Sequence, residues 1–469
     1  MAGIGFRLEA FFSKKDVIGT MKGGLYALFI SSGPWIISIL TIALLSKVAY
    51  RHLSYRDLLL LQGIVSYTIS FSLLFFGIIE MPLTRYLADR LYLKDEIVLR
   101  PLYLGVLTWG GVILCLMGYL FYSFFDFPFY FTVIILTFLF SIYAVWLSMI
   151  FLSAGKNYIH ITWSFVLGGV SILLLGKYLG PKWHLEGYVT SLAIGYGLIA
   201  IMLGVQVFRD FPKKTYFPLD FFSYFSKYRP ILFAGFFYYC AIWVDKYIFW
   251  YSHEGEHIYR FFYTHFNYNS AMFFSYITII PSMAFFLVKV ETDFFKKYLY
   301  YFTAVERKSD LYVLQGCVDE MVLSLRRTII SMIRMQVFVS VVIIYFTPEI
   351  FRILDLSFLM IPIFRYGVIG AFLQVLFMVA NIIMLYFELY KEVFSHYLFF
   401  FLSNALFAFI SLKLGSQYHG LGYTLSAFFT FVFSYYNLNK KIAMVNYRTF
   451  MGQPITHKNI LETEDIKEG

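Results

Sequence analysis

Charge is scarce in this chain. Asp, Glu, Lys and Arg together make up 14% of 469 residues, against 60% hydrophobic residues and a mean hydropathy of +0.70. A soluble domain of this length could not hide so much apolar surface in one core. Cysteine is scarcer still. Of the three residues, Cys115 and Cys240 fall inside apolar stretches and Cys317 in a polar one. Disulfides are therefore not expected, and the three are read as small apolar fillers. Enzyme signatures are also missing: no Walker A loop, no Gly-x-Ser-x-Gly, no His-Glu-x-x-His, no dinucleotide fingerprint. With no room for a soluble catalytic domain, the chain is not expected to be an enzyme, and no cofactor is called for. No cleavable signal peptide is expected either, because the basic segment before the first apolar stretch lacks a short apolar core.

What is present is apolar length. A hydrocarbon core of about 30 Å needs roughly 20 apolar residues in a helix. Twelve stretches meet that need, at 24–46, 58–80, 102–123, 129–152, 159–179, 185–208, 230–251, 266–290, 329–347, 366–387, 394–414 and 420–438. The fold class expected is all-α, a polytopic membrane protein. With both termini placed in the cytoplasm, the inner side carries 28 Lys and Arg and the outer side 9, Lys246 inside the seventh stretch completing the 38. That bias is the positive-inside pattern. It accounts for the net charge of +10 without a nucleic-acid partner. Lys213, Lys214, Lys440 and Lys441, at stretch ends, suit anionic headgroups. Residues 1–15 are compatible with a short surface helix.

The chain also resembles itself. Residues 179–191 read LGPKWHLEGYVTS and 414–426 read LGSQYHGLGYTLS, so Leu179, Gly180, His184, Gly187, Tyr188 and Ser191 recur at an offset of 235. The Ile79–Pro82 region matches Ile280–Pro281 more loosely, at an offset near 199. The difference is close to the length of the polar segment 291–328. A six-helix unit used twice, with an insertion between its eighth and ninth helices, explains both offsets. Units with an even number of helices share one orientation and are related by an axis along the membrane normal. The expected domains are an amino-terminal six-helix lobe 1–208, a cytoplasmic linker 209–229, a second lobe 230–438 containing the cytoplasmic insertion 291–328, and a cytoplasmic tail 439–469. The insertion holds an amphipathic stripe, Leu311, Leu314, Val318, Met321, Leu325 and Ile329. Spacings of three and four align it. It is read as a helix on the inner membrane surface that also offers a docking face for a cytoplasmic partner.

Polar groups at membrane depth are costly and mark pathways by default. Asp245 and Lys246 lie about two turns from the outer end of the seventh stretch. Neighbours on a helix diverge by about 100°, so they need not pair. Glu80 and Glu388 lie near inner helix ends. Gln374 and Asn381 are seven apart, nearly on one face, where hydrogen bonding between helices is the plainer role. Ser31, Ser32, Gly33 and Pro34 mark the first stretch as a bent, gating helix, since proline removes a donor. Tyr238, Tyr239, Trp243 and Trp250 offer flat rings to sugar faces, although most of the 56 Phe and 40 Tyr suit lipid contact and interfacial belts. His184 and His419 end the repeated motif, but two histidines are weak grounds for a metal site, and no metal is expected.

Several stretches resemble the PelG family of Pel exopolysaccharide inner-membrane transporters, within the multidrug/oligosaccharidyl-lipid/polysaccharide flippase superfamily. They are MAGIGF at Met1–Phe6, ISSGPW at Ile30–Trp35, the W-x-D-K-x-x-F-W core within Gly235–Trp250, ETDFF at Glu291–Phe295, and Arg365–Glu388. The resemblance implies a twelve-helix, two-lobed flippase in the bacterial cytoplasmic membrane with alternating access. It implies export of an N-acetylated amino-sugar polymer of biofilm matrix. Its implied partners are a cytoplasmic glycosyltransferase and membrane subunits of a synthase regulated by cyclic di-GMP. Docking of that synthase on 291–328 predicts that deleting the segment uncouples export and leaves membrane insertion intact. Two other readings stay open: a multidrug or small-solute/cation antiporter coupled through a carboxylate such as Asp245, and a membrane scaffold that moves nothing.

Overall fold

In hydrocarbon every backbone donor and acceptor must be satisfied within the chain, so a sequence this apolar folds as helices. The computed structural model describes residues 17–155, 158–212 and 218–451. The helices α1 (Val17–Ala49), α2 (Tyr55–Tyr92), α3 (Leu99–Tyr122), α4 (Phe129–Ala154) and α5 (Tyr158–Asp210) come first. A short α6 (Phe221–Lys227) leads into α7 (Arg229–Trp250), followed by an antiparallel hairpin of β1 (Glu256–Tyr259) and β2 (Phe262–Thr264). Then come α8 (Phe266–Ile277), α9 (Ile280–Lys289), α10 (Phe295–Glu306), α11 (Leu311–Tyr345), α12 (Thr347–Ile353), α13 (Ile361–Tyr386), α14 (Tyr390–Leu414), α15 (Leu421–Ile442) and α16 (Val445–Met451). Among the described residues nine helices are long and apolar enough to cross a membrane. One of them contains both arms of α5, which is broken at His184 (φ 49°, ψ −130°) between the fifth and sixth stretches. Apolar side chains face outward along α3 and α11, as at Trp109 and Phe338, each 70% exposed. Lipid is the solvent that fits such faces.

Packing repeats along the chain. In the first half α5 lies against α1 and α4, and α4 also packs on α2 and α3. In the second half α14 lies against α7 and α15, and α13 packs on α15, α8 and α11. The most extensive contacts between the halves are α2 with α7 and α1 with α9. Each is the counterpart of the other if the sequence repeat is followed. The buried hydrophobic residues divide accordingly, one cluster drawn mainly from Leu45 to Phe221 and a second from Ala234 to Leu438. The repeated motif itself occupies a helix–turn–helix corner in both halves, with Tyr188, Ser191, Tyr423 and Ser426 all buried.

Two expectations are corrected. The stretch 266–290 is not one helix, because α8 stops at Ile277 and α9 starts at Ile280, with Pro281 in its first turn. Pro281 has no N–H to give the Ile277 carbonyl four residues back, and its ring crowds that carbonyl, so the first helix ends there. Nor is the insertion a separate surface helix. Its amphipathic stripe belongs to α11, one continuous 35-residue helix that runs on through the ninth stretch. The stripe is spent inside the chain: Leu314 and Val318 pack with Tyr301, Ala304 and Val445, while Met321, Leu325 and Ile329 join the second core. Leu311 alone of the stripe is exposed. The helix α1 runs through Pro34, the residue expected to bend it. Gly33 and Pro34 are buried, and the Ser31 and Ser32 side chains lie outside the described residues, as do residues 1–15, Lys213 and Lys214.

The halves meet most closely where α2 crosses α7. A Cβ on Gly77 would stand 2.6 Å from the Tyr239 ring and 2.9 Å from the Gly235 carbonyl oxygen. Backbone cannot yield as a side chain does, so Gly77→Val is expected to destabilise the fold by about 1–3 kcal/mol. A lowered unfolding temperature in detergent checks this.

Candidate functional site

Burying one charge is affordable only beside another. Asp245 and Lys246 obey that rule and pair with each other, contrary to the divergence of neighbouring helix positions. Asp245 is fully buried, and Lys246 Nζ lies 3.0 Å and 3.1 Å from its two carboxylate oxygens. The long lysine stem makes this possible by curling back, so that Nζ also donates to the Ile242 carbonyl at 2.8 Å and the Tyr276 hydroxyl at 3.3 Å. The Tyr268 hydroxyl donates to Asp245 Oδ2 at 2.7 Å. Two helices, α7 and α8, thus enclose a neutralised pair in tyrosine.

From there a polar line crosses the second half. The Tyr276 ring meets Tyr423 edge-on at 5.8 Å, Tyr423 donates to Gln374, and Gln374 donates to the Tyr238 hydroxyl at 3.4 Å. Tyr239, next along α7, donates to Glu80 of α2 at 2.8 Å, across the junction between halves. Asp245, Lys246, Gln374, Tyr239 and Glu80 are therefore placed in or beside one region. Asn381 is not among them: it donates to Phe377 and accepts from His396, which in turn accepts from Asn437. Its plain role as a link between α13, α14 and α15 is the one observed. Trp243 is half-buried, its indole N–H without a hydrogen-bond partner among the described residues, its ring 6.1 Å from Trp250.

Sequence reasoning passed over Gln336, a polar residue inside an apolar run. It is fully buried on α11, donates to the Thr278 carbonyl at 3.1 Å and accepts from Ser282. It thereby satisfies the backbone freed by the break between α8 and α9. Gln336→Leu is expected to cost about 1–3 kcal/mol by orphaning that carbonyl, seen as a lower unfolding temperature with the helix content kept.

Contacts join the halves at both ends. At the end carrying α6, Arg85 of α2 pairs with Glu388 at 2.7 Å across the junction, while in the connecting segment Tyr224 donates to Asp89 at 2.9 Å and Asp220 pairs with Arg90, holding α6 to α2. At the other end the hairpin lies against the first half. Tyr67 donates to the Tyr251 hydroxyl and the Tyr263 carbonyl, both at 3.2 Å, and Ser70 and Tyr247 share a 2.6 Å hydrogen bond. Phe262 is fully buried among Tyr67, Tyr122 and Phe125, and Arg260 pairs with Asp126. His184 and His419 are not brought together in kind, since His184 is exposed and His419 is buried.

Residues 1–450 match the PelG exopolysaccharide exporter family (EPS-E). The chain belongs to that family. No curated protein matches it. Among solved structures, the outward-facing conformation of a multidrug resistance MATE family transporter of the MOP superfamily is similar, with a TM-score of 0.62 at 12% identity over 95% of this chain and 100% of that one. A MOP superfamily transporter from Pyrococcus furiosus gives a TM-score of 0.63 at 12% identity, over 90% and 96%. An inward-facing MATE conformation gives 0.53 at 11% identity, over 90% and 95%. At such identities the likeness shows the fold, which is that of a MATE-like transporter. As a member of the exopolysaccharide exporter family, this is a multi-pass membrane protein of polysaccharide export.

Proposed function

We propose that the chain carries a Pel-like amino-sugar polysaccharide across the bacterial cytoplasmic membrane by alternating access, with both termini cytoplasmic. Twelve spans form two six-helix lobes, 1–208 and 230–438, and the polysaccharide path runs along their junction past Glu80, Tyr239, Trp243 and Gln374. The observation that carries this reading is that the halves repeat one packing scheme in a chain of the exporter family, yet touch through separable contacts at each end. The Arg85–Glu388 pair and the α6 contacts close the cytoplasmic end, and the hairpin closes the outer one. Gly33 and Pro34 are the flexing point of α1, where a missing donor softens the helix. The antiporter reading is less supported, because Asp245 already holds an internal cation in Lys246. Deleting the gene should abolish secreted polymer while synthesis continues at the cytoplasmic face. Secretion unchanged by the deletion would overturn the reading.

The partner surface follows from the correction to α11. Because Met321 and Leu325 belong to the core, removing 291–328 would damage the fold and report nothing about docking. The exposed face is the better target: Tyr300, Leu311 and Tyr312, the last 90% exposed, lie outside the packed stripe. This face receives the cytoplasmic glycosyltransferase of a synthase complex regulated by cyclic di-GMP. Tyr300→Ser with Tyr312→Ser is expected to lower co-purification of the glycosyltransferase severalfold while the exporter remains monodisperse. Undiminished co-purification would remove the assignment.

A further inference from the structure

The hairpin has two roots, and a cluster of metal-ligating groups sits at both. Glu254 lies between α7 and β1, His265 between β2 and α8, and His419 in the corner between α14 and α15. Their ligand atoms all fall within 4.8 Å of one another. His419 Nε2 is 3.4 Å and His265 Nε2 3.7 Å from the same oxygen, Glu254 Oε2. These separations are long for charge-assisted hydrogen bonds, which close to about 2.7–2.9 Å. They fit a shared cation better: ligand bonds of about 2.0–2.2 Å in a tetrahedron set neighbouring donor atoms roughly 3.3–3.6 Å apart. A second observation points the same way. His419 is 1% exposed, and its Nε2, aimed at Glu254, makes no hydrogen bond among the described residues. Phe249 walls the cluster, its ring 4.8 Å from His419 and 5.7 Å from His265.

We propose that Glu254, His265 and His419 form a binding site for a zinc-class divalent cation that staples both roots of the hairpin to the α14–α15 corner. The site goes beyond polysaccharide export and does not depend on it. Three protein ligands leave a fourth position for water, reached past the half-buried Glu254. His265 Nδ1 now accepts the Tyr268 backbone N–H at 3.2 Å, capping α8. Coordination through Nε2 needs the proton on Nδ1, so metal binding exchanges that cap for a metal bond and couples occupancy to the first turn of α8. His184, the exposed member of the sequence repeat, takes no part.

The test uses the purified full-length exporter in lipid nanodiscs, stripped of metal and titrated with Zn2+ against a chelating dye. One Zn2+ per chain is expected, and Co2+ in its place should give the intense visible absorption of a four-coordinate site. Glu254→Gln, nearly isosteric, and His419→Ala should each lower Zn2+ affinity at least tenfold and lose the Co2+ band, while His184→Ala keeps both. Size-exclusion profiles confirm that the variants are folded. Equal Zn2+ affinity in Glu254→Gln and the unaltered chain, or no Zn2+ bound by the unaltered chain, overturns the proposal.

Discussion

Asp245→Ala should leave little folded exporter in the membrane. The substitution strands Lys246 in a site only 7% exposed, with the Ile242 carbonyl and Tyr276 hydroxyl as its remaining partners, and it frees the Tyr268 hydroxyl. Breaking a buried pair from one side costs about 3–5 kcal/mol, because an uncompensated charge remains. That is a large part of the 5–15 kcal/mol that typically separates folded from unfolded protein. Fluorescence-detected size exclusion of a tagged exporter would show the loss directly. Replacing both partners, Asp245→Asn with Lys246→Met, removes the stranded charge and should return a monodisperse peak. Export then separates two roles. If the pair only ties α7 to α8, the double variant exports normally. If it takes part in moving polymer, the folded double variant secretes none, and we expect that second outcome from its place between α7, α8 and the Tyr423–Gln374–Tyr238 line.

How much of this was legible in the sequence differs from feature to feature. Apolar length is a property of the chain alone, so the helical class and most helix centres followed from it. The repeat was legible because Tyr188 and Tyr423, with Ser191 and Ser426, are held by the same burial in both halves. Asp245 was found through cost: a carboxylate at membrane depth needs a reason. Its pairing with Lys246 was not legible, because helix geometry fixes where a Cβ points and says nothing of where a four-carbon stem ends. The fate of the α11 stripe was hidden for a related reason. Spacing shows that Leu314 and Val318 share a face, yet membrane, partner and neighbouring helix all satisfy an apolar face equally. Only tertiary packing against Tyr301 and Val445 chose among them. Gln336 was legible and went unread: the rule applied to Asp245 applies to any buried amide.

Locking the hairpin to the first half should stop export. The hairpin bridges the halves through side chains that can part without breaking a helix: the Arg260–Asp126 pair, the Tyr67 hydroxyl contacts and the buried Phe262. Arg260 and Asp126 are both exposed, and surface pairs contribute about 0–1 kcal/mol. Thermal energy opens such a contact readily, as a gate requires, whereas a covalent link does not open. In a chain whose Cys115, Cys240 and Cys317 are replaced by Ser, Asp126→Cys with Arg260→Cys can be joined by a reducible bifunctional thiol reagent. Secretion is expected to fall at least about tenfold on linking, consistent with a gating motion that turnover cannot bypass, and to return on reduction. Single-cysteine controls should secrete normally after the same treatment, because one attachment leaves the hairpin free to move. Full secretion from the linked protein would mean that the hairpin stays seated throughout transport, and the moving contact would then have to be sought between α1 and α9 instead.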